Sequence, residues 1–147
     1  MTIEAGQKCP HGRATLSLQP PSLVKGEIAW RYGNGEDPFF SCPAVGADRV
    51  VIGGRDWSIH CVSRADGKEI WKFPTKGEVN SSPEICGERV LAGSDDGRLY
   101  LLGLANGGEI WSYDLGGAVG GGPAVARGRA YAATADGAVY AFGERKQ

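Results

Sequence analysis

The chain has 147 residues, 24 of them glycine, and a formal net charge of −1. That length is one domain, and the near-neutral balance, with no basic run, gives no electrostatic reason to expect nucleic acid or an acidic membrane surface as partner. No stretch approaches the roughly 20 apolar residues of a membrane span, and Met1–Lys8 lacks the apolar core of a secretory signal.

Residues 1–25 read as an irregular N-terminal segment, with Pro20-Pro21 marking a loop and a weak alternation at Ala14–Leu18. Cys9-Pro10-His11 resembles half a metal motif without its second half, so it reads as a solvated tail. The first predicted strand is Glu27–Tyr32, followed by a linker from Asn34 to Phe40. Next come short apolar runs at Ser41–Val45, Arg49–Gly53, Ser58–Val62 and Gly67–Trp71. The same series follows at Ser81–Ile85, Arg89–Gly93, Arg98–Leu102 and Gly107–Trp111, then at Gly121–Val125, Arg129–Ala133 and Ala138–Phe142. Runs this short, bounded by Gly, Asp, Asn or Pro, suit strands and are too short for helices. Residues 144–147 are a tail.

The runs repeat. Trp30, Trp71 and Trp111 each stand four residues after a glycine, Gly26, Gly67 and Gly107. A repeat near 40 residues built from short strands is the signature of a β-propeller. A sandwich with evenly spaced turns need not repeat residue identities at a fixed offset. The expected fold is therefore all-β: a partial β-propeller of about three four-stranded blades over residues 26–143, with tryptophan docking between neighbouring blades. Asp96-Gly97, Asp136-Gly137 and Asn106-Gly107 mark turns that need positive φ. If each blade runs A to D outward from the channel, the tryptophan strand is D. The chain then opens on a D strand and stops where another should follow. Propellers typically carry about four to eight blades, so three leave open faces and edges that favour association. A head-to-tail homodimer, further upstream blades, or completion on another protein would each satisfy them.

These residues resemble the tryptophan-docking repeat of the PQQ-like, quinoprotein-type β-propellers, which runs roughly Ala-x-Asp-x-x-Thr-Gly-Lys-x-x-Trp. Gly67-Lys68 with Trp71, and Asn106-Gly107 with Trp111, match in place; Ser63 and Gly103 replace the repeat's Asp. The nearest likeness is to BamB-like envelope proteins, especially their C-terminal blades. The resemblance implies a cell-envelope context, and it implies PQQ and calcium only for the dehydrogenase branch.

Chemistry is sparse. The chain has two histidines, and His60 aligns with Tyr100 and Tyr140, which makes its position a packing slot. No Ser/His/Asp set can be assembled. Gly116-Gly117 and Gly120–Gly122 precede a strand, not a helix, so they read as a tight inter-blade linker and not as a phosphate cradle. The channel-side strands offer Ser41, Ser81, Ser82 and Glu84 without the carboxylate cluster a hard cation needs. Cys42 and Cys61 read as small buried residues. No cofactor or metal is expected. Trp57, at a turn where the other copies have Gly97 and Gly137, and Phe39 and Phe40 in the linker are the candidate partner contacts. The favoured reading is a non-enzymatic scaffold or protein-interaction module, BamB-like in its part in outer-membrane protein assembly. The competing readings are a C-terminal piece of a PQQ-dependent dehydrogenase and the sensor propeller of a signalling protein.

Overall fold

The computed structural model describes residues 28–144. Gly26 and the segment 1–25 lie outside the described residues, as do 145–147. Eleven strands form three antiparallel sheets among the described residues. The first blade holds β1 (Ala44–Val45), β2 (Arg49–Gly54), β3 (Ser58–Ser63) and β4 (Glu69–Pro74). The second holds β5 (Glu84–Cys86), β6 (Arg89–Gly93), β7 (Arg98–Gly103) and β8 (Glu109–Asp114). The third holds β9 (Ala124–Ala126), β10 (Arg129–Ala133) and β11 (Val139–Phe142).

Strand order within each blade follows the chain: β1-β2-β3-β4, β5-β6-β7-β8, and β9-β10-β11 with no fourth strand. Among the described residues the third sheet therefore has one strand fewer than the first two. Hairpins set the registers. Gly97 (φ 89°) and Gly137 (φ 95°) turn β6 into β7 and β10 into β11, a conformation open to glycine without steric cost. Between β2 and β3 the same station is filled by Trp57, which adopts φ 62°. The outer strands repeat a detail: the ladder slips by one residue at Cys61/Val62 and again at Leu101/Leu102. Ile70 and Ile110 are the residues skipped. Each slip lies beside its tryptophan, where a bulge increases local twist.

The core sits between blades. Val51, Ile59, Cys61 and Trp71 of the first blade meet Val90, Ala92, Tyr100 and Leu102 of the second, with Val79 of the linker among them. Leu91 and Leu99 of the second blade meet Ala132 of the third across Leu115 and Val119. The short strands β1, β5 and β9 neighbour one another in series, so they form one inner wall. Gly53 and Gly93 on that side admit Val79 and Val119 so closely that a Cβ would fall 2.4 Å and 2.3 Å from a valine methyl.

Three expectations change. The strand predicted over Glu27–Tyr32 carries no sheet pairing at residues 28–32, because a strand exists only beside another and the blade that would own it is not among the described residues. A Cβ at Gly116, Gly120 or Gly121 would meet nothing within 4 Å, whereas one at Gly117 would lie 3.1 Å from the Asp136 carboxylate. Cys42 is half-buried, whereas Cys61 is fully buried, and both are free thiols.

Candidate functional site

Trp71 and Trp30 share one fastening. The Trp71 indole N–H donates to the Leu104 carbonyl at 2.8 Å, and its ring lies on Gly107, where a Cβ would come within 2.5 Å of the indole. Gly107 holds φ 69° there. Trp30 repeats the arrangement one blade earlier: its N–H donates to Arg64 O at 2.9 Å, and its ring covers Gly67 (φ 70°) with the same clearance. Trp111 is half-buried against Phe142, at 5.2 Å between ring centres, and against Tyr113 at 6.0 Å. It lines an apolar groove of about 370 Å³ with Leu101, Ala130 and Phe142.

A second aromatic step accompanies the first. Phe73, two residues beyond Trp71, packs edge-on against Tyr100 of the next blade at 5.4 Å. Tyr32, two residues beyond Trp30, packs edge-on against His60 at 5.7 Å. Tyr32 therefore occupies the outer-strand position relative to the first blade that Phe73 occupies relative to the second.

His60 is buried, and both its ring nitrogens are engaged. The Tyr32 hydroxyl donates to Glu69 Oε2 at 2.5 Å and lies 2.8 Å from His60 Nδ1. His60 Nε2 lies 2.9 Å from Asp56 Oδ1, and Lys72 Nζ lies 2.7 Å from Asp56 Oδ2. Burial pushes the Asp56 carboxyl upward, but hydrogen bonds from Lys72 and His60 outweigh it and hold the group below the usual carboxylate range. Burial first, then the hydrogen bond to Glu69, pushes the Tyr32 phenol above its ordinary value. Phe39, 5.4 Å from His60, closes one side of a cavity of about 370 Å³ that also touches Asn34 and Asp37. In the second blade Tyr100 stands in for His60 and donates to Asp96 at 2.6 Å. The Asp four residues before the ring, Asp56 or Asp96, is the sequence signal for this network; in the third blade Tyr140 donates instead to Leu115 O, and Asp136 accepts from Thr134.

The inner-wall hydroxyls are committed to the backbone. Ser41 donates to Gly53 O and accepts from Gly53 N–H. Ser81 donates to Gly121 O and accepts from Gly93 N–H, and Ser82 accepts from Cys42 N–H. Among the described residues no three His, Cys, Asp or Glu side chains converge as a metal set. Burial raises the Cys61 thiol, which leaves it an unreactive core residue.

The three candidate contact residues gather around one hairpin of the first blade. Phe39 lies against Gly54 and His60. Phe40 is 66 % exposed beneath the Arg55 guanidinium, 4.9 Å from its ring centre, and Arg55 is itself anchored to Glu78 at 2.6 Å. Trp57, at the hairpin tip, is 56 % exposed, while its carbonyl accepts from both Thr75 N–H and Thr75 Oγ1. The backbone there is fixed and the indole faces solvent.

The family model described as outer membrane protein assembly factor BamB matches residues 17–106 and 86–146. Among solved structures, BamB from Moraxella catarrhalis superposes with a TM-score of 0.70 at 20 % identity, covering 80 % of this chain and 40 % of that one. The quinohemoprotein alcohol dehydrogenase ADHIIG from Pseudomonas putida HK5 also gives 0.70, at 22 % identity, covering 80 % of this chain and 21 % of that one. The chain thus spans less than half the length of either structure, and the likeness is one of fold. No curated protein matches the sequence.

Proposed function

The chain belongs to the PQQ-like propeller family of the outer membrane protein assembly factor BamB, and from that premise we propose that it is a non-enzymatic interaction module that assists outer-membrane protein assembly in the cell envelope. The observation that carries this reading is the exposed Trp57 on a hairpin whose backbone is pinned by Thr75. An indole held out on a rigid tip, with Phe40 on the same hairpin's flank, supplies a large contact area at low entropic cost. The polar groups of the first blade favour the same reading, because Asp56, His60, Tyr32 and Lys72 satisfy one another.

The test is binding of the purified chain to an unfolded, dye-labelled outer-membrane barrel polypeptide, followed by the dye's fluorescence anisotropy and by cross-linking. Binding that weakens about tenfold or more in a Trp57→Gly, Phe40→Ser double variant supports the proposal. Binding indifferent to both changes overturns the assigned surface. Alcohol oxidation by the chain with added PQQ and calcium overturns the non-enzymatic reading in favour of the dehydrogenase branch.

A further inference from the structure

The sequence holds three asparagines, and two of them, Asn34 and Asn106, are followed by glycine. An asparagine amide is thermally labile, most of all before glycine, where no side chain shields the next backbone nitrogen. The two dipeptides begin alike. Asn34 Oδ1 accepts from Glu36 N–H at 2.9 Å, and Asn106 Oδ1 accepts from Gly108 N–H at 3.0 Å. Each side chain is thus folded back over the peptide that follows it. Both glycines hold positive φ, 84° at Gly35 and 69° at Gly107. They differ in what holds the glycine nitrogen. Gly107 N–H donates to Gly103 O at 2.9 Å, and Gly107 is buried under the Trp71 ring. Gly35 is exposed, and among the described residues its N–H has no acceptor. The Arg31 guanidinium stands beside it, with Nη2 3.4 Å from where a Cβ would lie, so a positive charge favours loss of the amide proton.

We propose that Asn34-Gly35 is a site of spontaneous deamidation, and that the Trp71 clasp spares the same dipeptide at Asn106-Gly107. The chemistry is independent of the interaction-module reading and needs only water and hydroxide. Hydroxide removes the Gly35 amide proton, and the nitrogen attacks Asn34 Cγ. The N–Cγ bond forms, the Cγ–Nδ2 bond breaks, and Nδ2 leaves as ammonia with a proton from water. Water then opens the cyclic imide at either carbonyl and leaves aspartate or isoaspartate at position 34; nothing is oxidised or reduced. At Asn106 the same attack requires Gly107 to give up its bond to Gly103 and to turn beneath the indole, which is a local opening of the blade junction. The product at position 34 is a carboxylate where Asn34 Nδ2 now lies 3.5 Å from Glu36 Oε2, so a donor facing an acceptor becomes two like charges. Isoaspartate also adds a methylene to the backbone between Tyr32 and Phe39. Both of those rings pack on His60, and Asn34 lines the cavity they share, so the conversion would remodel that cavity.

The experiment incubates the purified full chain, folded, in mildly alkaline buffer at physiological temperature. Peptide mass mapping follows each site, and electron-transfer fragmentation identifies isoaspartate. The same chain in urea calibrates the two dipeptides without structure, and there they should convert at similar rates. In the folded chain Asn34 should convert about tenfold or more faster than Asn106, each rate taken relative to its urea value. Trp71→Phe keeps a ring but removes the indole donor; in its folded form it should raise the Asn106 rate several-fold and leave the Asn34 rate unchanged. Amide hydrogen exchange on the wild type makes the same comparison without a variant, and Gly35 should exchange about tenfold or more faster than Gly107. Equal relative conversion at the two sites, conversion faster at Asn106, equal exchange at the two glycines, or a folded Trp71→Phe chain with an unchanged Asn106 rate each overturns the proposal.

Discussion

The Trp71 indole nitrogen sits 2.8 Å from the carbonyl oxygen of Leu104, a residue of the neighbouring blade. One bond therefore links the outer strand of one sheet to the turn after β7 in the next. The Trp71 side chain is only 8 % exposed, whereas Trp111 at the following junction is half-buried.

That difference predicts unequal costs for the same substitution. Trp71→Phe removes the donor and leaves a cavity beside Gly107, and should destabilise the chain by about 2–3 kcal/mol, combining the lost hydrogen bond and the lost packing. Trp111→Phe should cost less than half as much. Urea unfolding followed by circular dichroism measures both; equal costs would contradict the junction described.

The inner-wall glycines give a second prediction. Gly93→Ala places a methyl 2.3 Å from a Val119 methyl and should cost about 1–3 kcal/mol through overpacking. Gly121→Ala, which meets nothing within 4 Å, serves as the control and should change stability by less than about 0.5 kcal/mol.

Trp57 separates stability from binding. Its φ of 62° is costly for a residue with a Cβ, of order 1 kcal/mol. Trp57→Gly, the residue type its aligned partners Gly97 and Gly137 carry, should leave stability unchanged or raise it by about that amount. Binding of barrel polypeptide should weaken in the same variant. A variant both less stable and equally competent to bind would refute the assignment.

Asp56 predicts an acid dependence with a definite sign. Its carboxyl is held below the usual range in the folded chain, so the unfolded state binds the proton more readily. The resulting stability is present above the unfolded carboxylate value and is lost as pH falls through the folded one. Wild type should therefore lose more stability between neutral and acid pH than Asp56→Asn does, read from denaturation midpoints across that range. Parallel losses in the two proteins would remove Asp56 from the account.

The repeat made the blades legible, since Trp71 with Gly67 and Trp111 with Gly107 fix a period and Gly97 and Gly137 fix the hairpins. Pairing at Ile28–Tyr32 did not follow, because a D-strand pattern records what a segment fits and not whether a neighbour stands beside it. The engagement of His60 was also hidden. Its alignment with Tyr100 and Tyr140 correctly implied burial, but its contact with Tyr32 depends on the path of a linker that carries one extra residue. The preceding Asp56, repeated as Asp96 before Tyr100, held the available clue. Cys42 reads as buried by position, yet the inner wall is shallow there and leaves it half-buried.

The Trp30 and Trp71 clasps each take their ring from one repeat and their glycine and carbonyl from the next, so neither depends on which repeat it joins. Trp71 and Trp111 are 40 residues apart, and adding or deleting a unit of that length within the array restores a matched clasp at the new seam. Genes encoding such arrays can thus grow or shrink by whole blades through in-frame recombination without passing through an ill-fitting intermediate.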